Sequence, residues 1–162
     1  MAKKENFGIV SVNYLSKVCA LSFLLFGCSA QTISSVEAEK LWQKQFDYCH
    51  EIAQQNKSSF PKSEWFQSLS LDDKKTVVGY LANYTDRICM EEASAQLKRS
   101  LSEENNLEKL SYYSVDLTPL DELAAERIAH LDGNQLKDLQ QQFKQPFNLR
   151  FIIEEQNLYP SQ

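Results

Sequence analysis

The chain has 162 residues, of which 43% are hydrophobic and 24% charged, with 17 basic and 22 acidic side chains and a formal net charge of −5. A chain of this length makes one domain able to bury its own core, and its acidic balance argues against nucleic acid, whose phosphates reward clustered Lys and Arg; Lys74-Lys75 and Lys98-Arg99 are isolated pairs. Beyond residue 28 only Gly79 and Gly133 remain, too few for a glycine-rich loop that cradles phosphate or for a Gly-x-Ser-x-Gly elbow.

The chain opens with Lys3, Lys4 and Lys17 ahead of ten uncharged residues, Val18 to Gly27, and then Cys28. A helix needs about 20 apolar residues to cross a hydrocarbon core, so this run is the core of a signal peptide rather than a spanning helix. An ordinary secretory signal and an uncleaved anchor are the other readings of the stretch. Its ending, Leu25-Phe26-Gly27-Cys28, resembles the lipobox of bacterial lipoproteins, with Phe26 bulkier than the residue usual at its position. The resemblance implies removal of residues 1–27 by signal peptidase II and a diacylglycerol on the Cys28 thiol, hence attachment to a membrane. Ser29 resembles the outer-membrane sorting default rather than the aspartate retention signal. Processing takes away three lysines and Glu5 and so moves the net charge from −5 to −7.

Residues 28–35 then read as a lipidated cysteine and a short polar tether, and 36–162 as a single periplasmic domain. Ser34 with Glu37 forms a capping box, and Ala38, Trp42, Phe46, Cys49 and Ala53 recur at helical spacing, which predicts a first helix over about 35–55. Pro61 follows it, and Ser63 caps a short turn carrying Trp65, Phe66 and Leu69. Ser70 with Asp73 starts a long helix from Leu71 to about Leu101, with one apolar row through Val77, Leu81, Tyr84 and Ile88 and another through Val78, Ala82, Cys89 and Ala93.

Cys49 and Cys89 therefore fall on the apolar faces of two separate helices. In the oxidising compartment that the lipobox implies, they are expected to form a disulfide between antiparallel neighbours; two buried thiols are the alternative. Such a pairing tilts the source toward a Gram-negative periplasm.

Asn105-Asn106 break the long helix, and residues 107–117 fit both a helix and a strand. Thr118-Pro119 with Asp121-Glu122 predicts a helix running to Asp132-Gly133, and a short one follows through Leu136, Leu139 and Phe143. After Pro146, Phe147, Leu149, Phe151 and Ile153 alternate with other residues as in a strand, whose candidate partner inside the chain is 112–117. The expected fold is mainly α, a small helical domain with one disulfide and a minimal two-stranded β-sheet near its C-terminus.

Candidate chemistry is sparse. Asp47, Cys49, His50 and Glu51 are rotated apart on one helix and cannot converge on an ion, and His130 sits near a helix end where the dipole favours it. Neither a metal nor a cofactor is expected, and the chain reads as a non-enzyme. Phe60, Trp65 and Phe66 flank a turn; they either close one end of the core or, with Phe151, offer an aromatic patch to a protein partner. The expected function is a non-enzymatic accessory or assembly factor of secretion or pilus type. An inhibitor or immunity lipoprotein against a basic target and an envelope hydrolase or small-ligand binder are the alternatives.

Overall fold

The computed structural model describes residues 33–159. The expected signal peptide and Cys28 lie outside the described residues. Ser34 caps the first helix, α1 (Ser35–Gln55), its hydroxyl accepting from the Glu37 backbone N–H. Ser63 caps α2 (Glu64–Ser68) in the same way at Phe66. Ser70 does so for α3 (Leu71–Glu103) at Asp73. Each hydroxyl satisfies an N–H that the first helical turn leaves without a backbone partner. At 33 residues α3 is about 50 Å long, and everything else is laid against it.

It ends where Asn105 turns to a positive φ of 53°, which lets the Asn106 N–H reach back to the Leu101 carbonyl. That left-handed turn satisfies the orphan carbonyls of the last helical turn.

Two apolar clusters divide the length of α3. Around its first half, Phe66, Val77, Val78, Leu81, Leu139, Ile152 and Leu158 are buried, joined by Phe60, Leu136 and Phe147. Around its second half, Ala38, Trp42 and Cys49 of α1 pack on Met90, Leu97 and Leu101. In this second layer α1 runs antiparallel to α3: Ser35 meets Glu104, Trp42 Nε1 donates to Ser94 Oγ at 3.1 Å, and Cys49 is bonded to Cys89 with alpha carbons 6.0 Å apart. The disulfide expected from the two apolar faces is present.

The chain then crosses α3 in short pieces: α4 (Leu107–Tyr112), α5 (Ser114–Leu117), α6 (Leu120–Ile128) and α7 (Gly133–Gln140), with Asp132 capping the last of these. Tyr80, buried under α6 and α7, donates to Asp121 and accepts from Gln140, and its burial pushes the phenol up to about 12. The final helix is α8 (Leu149–Glu155), capped by Asn148 at the Phe151 N–H.

This corrects the expectation of a two-stranded sheet, since 112–117 is helical or turn, 149–153 is helical, and no strand occurs among the described residues. A lone strand would have left a row of backbone groups without partners, whereas a capped helix satisfies them internally. The run Phe151-Ile152-Ile153 is apolar at every position, so alternation over a few residues could not separate the two periods. The open question at 107–117 resolves as two helical turns broken at Tyr113.

No helix among the described residues is long and apolar enough to cross a membrane.

Candidate functional site

Helical spacing assigns Phe46 and Ile88 to the core faces of α1 and α3, yet both are open, Phe46 by 46% and Ile88 by 41%. They stay uncovered because the segment crossing α3 meets α1 at Tyr113 but its residues 115–121 leave an opening between the two. The result is a groove of about 670 Å³ with α3 as its floor, α1 as one wall and residues 115–121 as the other. A volume of this size lies within the roughly 300–1,000 Å³ typical of ligand pockets.

The α1 wall is an aromatic ladder. Trp42 and Phe46 stack with ring centres 5.6 Å apart and planes inclined by 14°; Phe46 and His50 follow at 6.4 Å and 2°. The spacing of four residues places all three rings on one face of α1. Trp42 is fixed from below by its bond to Ser94 and from the side by Tyr113, whose ring meets it edge-on at 5.2 Å. His50 is held from its other side by Gln54, 2.7 Å from Nε2.

The opposite wall hangs on Arg87. Its guanidinium donates to three successive stretches of backbone, the carbonyls of Val115 (2.8 Å), Asp116 (3.2 Å) and Thr118 (2.6 Å). These are the orphan carbonyls at the end of α5, so a cation there satisfies both hydrogen bonding and the helix dipole. Val115, 63% exposed, faces solvent at the rim.

Asp86 lies between the walls. It is reached by solvent through the mouth of the groove, but its surroundings desolvate it enough to push the carboxyl above its ordinary value, against the pull of His50. Among the described residues Asp86 has no hydrogen-bond or ion-pair partner. The groove can therefore hold an apolar group against a stacked aromatic face with an unneutralised carboxylate beside it.

The residues singled out in the sequence are distributed otherwise. Cys49 lines the groove from the disulfide. Phe60 and Phe66 do not form a docking patch: they pack on each other at 4.4 Å, are 6% and 0% exposed, and belong to the core around the first half of α3. Phe143, Phe147, Ile152 and Leu158 belong to the same cluster and help to cover them. Glu155 accepts the Phe60 N–H at 2.8 Å. Trp65 and Phe151 are half-buried against the same core. His130 pairs with the Asp73 carboxylate at 2.7 Å, away from the groove, and this bond holds Asp73 below its ordinary value.

Among the described residues no three or more His, Cys, Asp and Glu side chains are grouped to hold a metal. Phe46, Asp86 and Arg87 were not singled out as site residues in the sequence. The signal for the first was present as an apolar stripe wider than its neighbours could cover. For the other two there was none, because a single Asp and a single Arg on a long helix are ordinary.

No protein-family model matches the chain, and no match was found to a curated protein or to a solved structure.

Proposed function

We propose that the chain is a lipoprotein anchored through Cys28 to the periplasmic side of the outer membrane of a Gram-negative bacterium, and that it is a non-enzymatic accessory factor which holds a segment of a partner protein in the α1–α3 groove. The observation that carries the binding assignment is Phe46: a large aromatic side chain on the core stripe of α1, left 46% exposed above a groove of about 670 Å³. Aromatic anchors seated in desolvated pockets dominate the energetics of protein recognition. The Cys49–Cys89 disulfide suits an oxidising compartment, and the lipobox-like ending at Cys28 supplies the anchor.

The test is a photo-crosslinking amino acid at position 46 of the lipidated protein in its own envelope. One discrete crosslinked partner, absent when the crosslinker stands at exposed Glu126 instead, supports the reading. A Cys28→Ser protein that still fractionated with outer membrane would sink the anchoring half. A small-ligand binder is the second reading, favoured by the groove volume; it predicts that a low-molecular-weight envelope extract, and no protein, protects position 46 from labelling.

A further inference from the structure

The groove is apolar on its walls and acidic in its charge. Asp86, Glu91, Asp116 and Asp121 line it, against the cations Arg87 and Lys98. Arg87 is not available to a ligand, because its guanidinium is committed to the carbonyls of Val115, Asp116 and Thr118. Asp121 is engaged with the Tyr80 hydroxyl. Asp86 is left beside the ladder of Trp42, Phe46 and His50 with no partner among the described residues. A carboxylate beside the open aromatic ring of Phe46 forms a receptor for a cation, since ring faces carry negative electrostatic potential and attract Arg and Lys. The flanking apolar surface of Phe46, Ile88 and Val115 asks for apolar neighbours on the same ligand.

We propose that the groove is specific for a basic amphipathic segment of a partner protein, whose arginine or lysine side chain lies against Phe46 and pairs with Asp86 while its apolar side chains rest on Ile88 and Val115. This rests on the protein-binding reading above and names the chemistry of the partner. The overall charge agrees with it: the chain after Gly27 carries a net −7, which steers basic partners and repels both acidic ones and a second copy of itself.

The experiment uses the mature lipidated protein in phosphatidylcholine nanodiscs, with empty nanodiscs subtracted. Three labelled amphipathic peptides of one length are titrated, built from leucine with arginine, glutamine or glutamate, and binding is read by fluorescence anisotropy. The arginine peptide is expected to bind at least about tenfold tighter than the glutamine peptide. Asp86→Asn should abolish that preference. Phe46→Ala should weaken both. Asp138→Asn, which removes an equal charge on α7 away from the groove, should change neither.

Equal losses from Asp86→Asn and Asp138→Asn would reduce the preference to bulk charge and overturn the proposal. So would a wild-type protein that bound the glutamine or glutamate peptide as well as the arginine one; in that case the groove still binds protein and only the cation assignment falls. If no peptide bound and position 46 gave no crosslink in the envelope, the protein-binding reading itself would fall. A dimer in light scattering that Phe46→Ala dissociates would give the groove to a second copy and also overturn the proposal. Melting curves of each variant, with the disulfide intact, separate lost binding from lost fold.

Discussion

Ser35 and Glu104 close the open end of the two long helices: the Ser35 backbone N–H and its hydroxyl donate to the two oxygens of one Glu104 carboxylate, the backbone bond at 2.7 Å, across 69 positions of sequence. One is the first residue of α1 and the other the C-cap of α3. The carboxylate satisfies an orphan N–H of α1 and meets the positive end of its dipole. With the disulfide further along, it fixes α1 on α3 at two points and so sets the wall of the groove.

The pH dependence of stability follows from that contact. Hydrogen bonds from the Ser35 hydroxyl and backbone hold the Glu104 carboxyl below its ordinary value. A lowered folded pKa contributes stability that is present above the unfolded value of about 4.3 and lost as pH falls through the folded one. Glu104→Gln is therefore expected to lower the denaturation midpoint at neutral pH, with the difference from wild type shrinking on acidification. Urea titrations of both proteins between neutral pH and strong acid measure it. A difference that stayed constant across that range would refute the assignment.

Removing the disulfide should be the largest single loss around the second half of α3. A separation of 40 residues in the chain gives roughly 4 kcal/mol of unfolded-chain entropy in the loop-closure treatment. Cys49→Ala with Cys89→Ala is expected to destabilise by about that amount in urea, and wild type unfolded without reductant should show no reactive thiol at either position. Two titrating thiols would contradict the bridge.

Two phenylalanines separate core from site. Phe66 is fully buried, so Phe66→Ala leaves a cavity and is expected to cost about 3–5 kcal/mol. Phe46 keeps nearly half of its surface in water, and Phe46→Ala should change stability by less than about 1 kcal/mol while weakening binding in the groove. Equilibrium unfolding and the peptide titration, run on the same two variants, check both halves.

Arg87→Met should loosen residues 114–118 without unfolding the helices that flank them. Three carbonyl acceptors lose their charged donor, and hydrogen bonds to charged groups contribute about 1.5–3 kcal/mol each at most. Amide exchange in that segment is expected to rise selectively. Unchanged exchange at Leu117 and Thr118 would show that packing of Leu117, rather than Arg87, holds the wall.

Much of the fold could be read from local chemistry. Ser34, Ser63 and Ser70 each cap the helix expected after them, because an N-cap hydroxyl and the N–H it satisfies lie within three residues. The pairing of Cys49 with Cys89 was legible because each lies on an apolar stripe and the lipobox-like ending led to the expectation of an oxidising compartment. The segment Phe147–Ile153 was not: seven residues with three consecutive apolar positions satisfy either period, and the Asn148 cap with the buried seats for Ile152 and Leu158 decides for helix. Trp65 and Phe66 were legible as an aromatic pair, but whether such a pair faces water depends on chain that returns from nearly a hundred residues away.

Sequence alone determined the starts of α1, α2 and α3, the cysteine pair, the acidic balance and the lipobox-like ending, all properties of neighbouring residues or of composition. Tertiary structure decided which apolar side chains are covered. The stripes of α1 and α3 are wider than their mutual contact, and only the path of residues 107–121 over α3 determines that Trp42 is buried while Phe46 and Ile88 remain open. Periodicity states which face of a helix is apolar; burial requires a second surface, and here that surface stops short and leaves the groove.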